Sequence, residues 1–126
     1  MYQKYPTDAL VLGSREIGEA DRMLVLYTRA FGLVRARGRG LRAAKSKMRY
    51  ALQNYSLANV SLVQGKTGWR LAGATALGNS AGKDVKGIMA FARIANLVTR
   101  FVAGEEVNAN LFAILCEARS ALSQER

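Results

Sequence analysis

The chain has 126 residues, half of them hydrophobic, enough for one compact domain or a small barrel with a helical appendage. It carries 19 Lys or Arg against nine Asp or Glu, one cysteine and no histidine. That composition argues against an internal disulfide, a multi-cysteine zinc site and histidine-based catalysis, and no apolar run approaches the ~18 residues of a membrane span. The N-terminus through Pro6 lacks the apolar stretch of a signal peptide, so a cytoplasmic location is expected.

In chain order, the first 77 residues carry strand signals. Thr7 to Ser14 is aliphatic, and Ile17 to Ala20 reads as a turn. Met23 to Thr28 is a near-continuous apolar run, the pattern of a strand buried on both faces. After a turn at Phe31-Gly32, the stretch to Gly40 alternates strictly, with Arg35, Arg37 and Arg39 on one face. A period of two sets these guanidiniums ~6.6 Å apart along a strand. Residues 41–53 lack β-branched side chains and predict a short helix bearing Arg42, Lys45, Lys47 and Arg49. Strand pattern resumes at Tyr55 to Val63, turns at residues 64–68 and continues from Trp69 to Leu77. Five short strands with one helical interruption predict a mostly β fold with C-terminal α structure, an OB-type barrel over 1–78.

Residues 79–126 form the helical segment. Gly78 to Gly82 reads as a linker, and Asp84 is a candidate N-cap. Two apolar stripes between Val85 and Val102 predict a helix buried over much of its circumference, stopped by Gly104. A second helix is expected from about Glu105 to Ser123, with Glu105 and Glu106 in its first turn, where the dipole favours anions.

The charge is unevenly placed. Residues 1–75 hold 13 bases and four acids, and between Asp21 and Asp84 lie 62 residues with 12 bases and no acid. Seven of those bases are Arg35, Arg37, Arg39, Arg42, Lys45, Lys47 and Arg49. A solvated face normally mixes both signs, so this stretch predicts a polyanion, with nucleic acid ahead of an anionic membrane because the segment reads as strands. Tyr50, Tyr55 and Trp69 are candidate stacking platforms, although aromatics at strand positions are more often core.

Enzyme-like fragments fail on context. Gly65-Lys66-Thr67 resembles the end of a phosphate-binding loop, but Val60 stands where that pattern needs glycine. Gly38 to Ala43 has a G-x-G-x-x-A form without the acid some 20 residues on that a dinucleotide site requires. Glu16, Glu19 and Asp21 cluster beside Arg15 and Arg22, where ion pairs are expected, with Arg22 structural and paired with Asp21 or Glu19. Cys116, on an Ala/Leu-rich helix, reads as a small core residue. No catalytic residue, metal ligand or cofactor is assigned.

Two barrel motifs and one helical motif carry a family resemblance. Gly18, Glu19, Asp21 and Arg22 fit a "GE-x-D-R" turn. Gly32, Arg35, Ala36 and Gly40, then Lys45, Ser46, Leu52 and Gln53, fit a "G-x-x-R-A-x-x-K-G … R-R-x-K-S-R-L … L-Q" pattern. Arg39 and Lys47 exchange one base for the other, and Ala44 stands where proline is frequent. Glu106, Asn108, Leu111 and Phe112 fit "E-x-N-x-x-L-F". Together these resemble the N-terminal barrel of RecO, the bacterial DNA-repair family. The resemblance implies a nucleoid-associated recombination mediator that binds and anneals single-stranded and double-stranded DNA and commonly acts with RecR. It also implies SSB and RecA as further partners. Family chains continue into a larger helical domain, often with a four-cysteine zinc site that has no counterpart here. The helices of this chain are therefore expected to expose an apolar patch, closed by self-association, a partner or a further segment.

Overall fold

The computed structural model describes residues 3–41, 46–77, 85–102 and 104–123, with the side chains of Ser46, Lys47 and Ser123 also outside the description. Five strands run as β1 (Lys4–Ile17), β2 (Asp21–Thr28), β3 (Gly32–Gly38), β4 (Leu57–Gly65) and β5 (Gly68–Ala76). A short helix α1 (Ser46–Ala51) lies between β3 and β4, and α2 (Val85–Phe101) and α3 (Ala109–Ser123) follow. The strands close into a barrel in the order β1-β2-β3-β5-β4, the OB architecture expected from the strand count. β1 serves two neighbours: its first half pairs with β4 and its second with β2, with a register shift between Val11 and Gly13 that bends it. The seam is parallel, with Ala36 beside Trp69 and Arg37 beside Arg70.

Alternation sorts the side chains into two cores. Ala9, Val11, Leu24, Leu26, Val34 and Ala36 point into the barrel with Val60, Leu62 and Trp69. Leu41, Ala51 and Leu52 plug one end of it, so α1 caps the barrel. The intervening residues Leu10, Leu12, Tyr27 and Leu33 face outward and meet Phe91, Ala95, Phe112 and Leu115 of the helices. The apolar run in β2 is thus explained, since one face fills the barrel and the other lies under α2 and α3.

The helical expectations need correcting. Only Gly87, Phe91 and Ala95 of α2 are buried, while Val85, Met89, Leu97 and Phe101 are exposed, because the barrel covers one face and α3 flanks it. Val107 before α3 and Ile114 within it are also exposed, so the helical region does present apolar side chains to solvent. α3 begins at Ala109, and Asn108 caps it, its Oδ1 accepting the Leu111 N–H at 3.0 Å. Glu105 and Glu106 therefore precede the helix. Glu105 instead accepts the Trp69 indole N–H at 2.9 Å. Gly104 has φ +55, as its stop role requires, and its carbonyl accepts the Leu33 N–H at 3.2 Å. At Gly32 (φ +72) an added Cβ would lie 2.5 Å from the Glu106 carbonyl oxygen, so only glycine lets this loop dock on the barrel. The linker 78–82 and the Asp84 cap lie outside the described residues.

Candidate nucleic-acid interface

The period of two holds in β3. Val34, Ala36 and Gly38 are buried while Arg35, Arg37 and Arg39 are exposed, although the strand ends at Gly38 and Arg39 sits in the following turn. A groove of about 550 Å³ opens beside this face, lined by all three arginines and by Lys66 and Arg70. Lys66 comes from the β4–β5 hairpin, where Gly65 faces Gly68 across the turn, and Arg70 from β5 beside Arg37. Residues 65–67 are thus hairpin, not a phosphate-binding loop.

Lys66 and Arg70 are not part of the site that the sequence predicts, because some 30 positions separate them from β3. Barrel closure brings them together. A five-stranded OB reading contains the clue, since closing the barrel seats the fifth strand against the third.

Asp21 organises the rim. Its Oδ2 accepts both Nε and Nη2 of Arg37 at 2.9 and 2.8 Å, and its Oδ1 accepts the Gly40 N–H at 2.7 Å. The Gly40 bond and the Arg37 guanidinium hold the Asp21 carboxyl below the usual carboxylate range. The expected partnership of Asp21 with Arg22 is therefore corrected: Arg37 takes the carboxylate, and Arg22 lies 3.9 Å from Glu16. Gly40 donates this tether from a left-handed turn position, φ +62. Among the described residues, no carboxylate pairs with Arg35 or Arg39.

The other expected site residues divide. Arg49 is exposed on α1 and lines a separate pocket with Arg22 and Tyr50. Arg42 and Lys45 lie outside the described residues, as does the side chain of Lys47. Of the three aromatic platforms, Tyr50 is exposed. Tyr55 instead packs edge-on against Phe91, and Trp69 is buried among Tyr5 and Phe31. Their burial follows from position: Trp69 faces the barrel interior and Tyr55 lies under α2.

Cys116 is half-buried, and burial pushes its thiol up, away from the reactive thiolate. Among the described residues no group of His, Cys, Asp or Glu could hold a metal ion, and no helix is long and apolar enough to cross a membrane.

Comparison with known proteins agrees with the barrel. The chain is similar to DNA repair protein RecO of Desulfitobacterium hafniense, 43% identical over 63 residues, covering 50% of this chain and 23% of that relative. It is also similar to DNA repair protein RecO of Thermobifida fusca, 40% identical over 63 residues, 50% of this chain and 26% of the relative. With that of Streptomyces coelicolor it shares 45% over 53 residues, 42% of this chain and 21% of the relative. The matched stretches thus amount to about a quarter of these relatives' length. Residues 1–77 match the family described as Recombination protein O N terminal. That match runs from the first barrel strand to the last, and the chain belongs to the recombination protein O N-terminal family.

Proposed function

We propose that this chain is a non-catalytic DNA-binding module of a recombination mediator in DNA repair, holding strands by their phosphates along the basic groove. The observation that carries this reading is the convergence of Arg35, Arg37, Arg39, Lys66 and Arg70 on one groove from two strands, the turn after β3 and the β4–β5 hairpin. Neutralised phosphates release condensed counterions, and contacts of this type carry little base information. Arg42, Lys45, Lys47 and Arg49, the further bases of the same acid-free stretch of sequence, belong to this reading. In this reading residues 1–78 are the binding domain and 79–126 a helical segment. Association with RecR, SSB and RecA, and nucleoid association in the cytoplasm, belong to this reading through the family.

The test is anisotropy binding of a labelled single strand of about 30 nucleotides, with and without its complement, across a salt series. A log–log slope of about −3 to −5, or roughly four to seven phosphate contacts, supports the reading. Matched RNA competing as well as DNA would make it a general nucleic-acid barrel. Negligible binding at low salt would refute it.

One observation favours a second reading. The exposed Val85, Met89, Leu97, Phe101, Val107 and Ile114 suit a protein partner or a second copy, as an adaptor would need. That adaptor predicts a stoichiometric complex with RecR or a similar protein and weak DNA binding alone.

A further inference from the structure

A second concave site lies at the α1 end of the barrel. Met48, Ala51 and Leu52 turn α1 inward at i, i+3 and i+4 spacing, which leaves Arg49, Tyr50 and Gln53 facing out. These three, with Arg22 at the start of β2, wall a pocket of about 390 Å³ floored by Leu41 and Leu52. Its size falls within the ~300–1,000 Å³ range of small-ligand clefts. Tyr50 stays 44% exposed although it is among the largest apolar side chains of the barrel region, and nothing in the core needs it. The lining therefore combines an apolar floor, one open aromatic face, one amide able to donate and accept, and two guanidiniums. A flat heteroaromatic ring joined to an anion answers all four.

We propose that this pocket takes a nucleotide of a single strand already lying in the basic groove, its base stacked on Tyr50 and its phosphate met by Arg22 or Arg49. The inference rests on the groove reading above and adds base contact to it. Continuity favours a strand over a free nucleotide. Arg39 lines the groove and Leu41 lines the pocket, with Gly40 between them held to Asp21 at 2.7 Å. A strand leaving the arginine row reaches the pocket across this tethered turn. The weak pairing of Arg22 with Glu16 at 3.9 Å, both more than 40% exposed, leaves that guanidinium available.

The test compares oligothymidine of about 30 nucleotides with an abasic strand of the same length, using the whole chain at fixed salt. The wild type should prefer oligothymidine, and Tyr50→Ala should weaken oligothymidine ~5- to 150-fold, the range for losing one stacked base, without changing abasic affinity. Tyr50→Phe should restore the preference. Millimolar thymidine monophosphate should not displace the strand. Equal binding of the two strands, unaltered by Tyr50→Ala, would overturn the pocket while leaving the groove standing. Loss of both affinities in a variant whose circular dichroism and melting match wild type would also overturn it, because the residue would then act through the groove. Competition by thymidine monophosphate would make it a free-nucleotide site instead. Absence of binding to either strand by the wild type would sink the groove reading itself.

Discussion

The Asp21–Arg37 pair makes the three arginines of the β3 face unequal, and that inequality can be measured. On a single strand each phosphate contact adds about 0.7 to the magnitude of the log–log salt slope. Arg35 and Arg39, unpaired among the described residues, should each contribute that full amount, so replacing both with Ala should flatten the slope by ~1.4. Arg37 already shares its charge with a carboxylate 2.8 Å away. Held by the carboxylate, Arg37 makes no full phosphate contact of its own, so Arg37→Ala should flatten the slope by under ~0.35, while the uncovered Asp21 lowers affinity at every salt concentration.

Asp21→Asn is the informative reverse. Asparagine keeps an oxygen for the Gly40 N–H, so the turn stays tethered while Arg37 gains freedom to meet phosphate. The slope should steepen by up to ~0.7, and affinity at low salt should rise. A fourfold rise in salt would then separate this variant from wild type by about 2.6-fold more loss of affinity. Anisotropy over a salt series reads both quantities. Arg37→Ala flattening the slope as much as Arg35→Ala, with Asp21→Asn no steeper than wild type, would refute the reasoning, because phosphate would then be displacing the carboxylate at no cost.

Three further outcomes follow from the same geometry. The Gly40 amide resonance should titrate with a midpoint below 3.8, since a depressed carboxylate keeps its contribution above the ordinary value and loses it only as pH falls through the lower folded one; a midpoint above 3.8 would contradict the tether. Gly32→Ala should destabilise the fold by more than ~2 kcal/mol, combining left-handed strain with collision against Glu106, whereas Gly18→Ala, with open space around it, should cost only the ~1–2 kcal/mol of strain, both read by denaturant melts. Trp69, the single tryptophan and 8% exposed, should emit at short wavelength; Glu105→Ala should shift its emission to the red and cost about 1 kcal/mol, and long-wavelength emission from the wild type would put the indole on the surface instead.

Much of the barrel is legible in the sequence because period-two alternation and turn residues are local signals. The β3 pattern alone separates Val34 and Ala36 from Arg35 and Arg37, and the structure buries the first pair and exposes the second. The helical region is harder to read, because an amphipathic stripe shows which residues are apolar and not what covers them. Phe91 and Phe101 look alike in sequence, yet one lies against the barrel and the other is 75% exposed. Long-range partners are not legible for the same reason. Glu105 reads as a helix-start anion until the fold brings Trp69 to it, and Lys66 reads as a turn residue until the hairpin meets the arginine face.

That convergence bears on whether the basic face is more than a solubilising surface. Spreading charge over a surface minimises repulsion, and this fold does the opposite. Register at the barrel seam sets Arg37 directly beside Arg70, and neighbouring strands lie only ~4.8 Å apart. Like charges side by side on a sheet destabilise it. Asp21 offsets one of these charges and also ties down the turn carrying Arg39, but Arg35 and Arg39 keep no carboxylate partner among the described residues. A face that concentrates repulsion along one groove, and spends its nearest acid on shaping the rim, is arranged for an anion that arrives from outside. Stability alone would favour acids at these positions. Placing Glu at position 35 or 39 should therefore raise the melting temperature while abolishing binding to the strand, and a charge-reversed variant that bound as tightly as wild type would show the face to be ordinary surface.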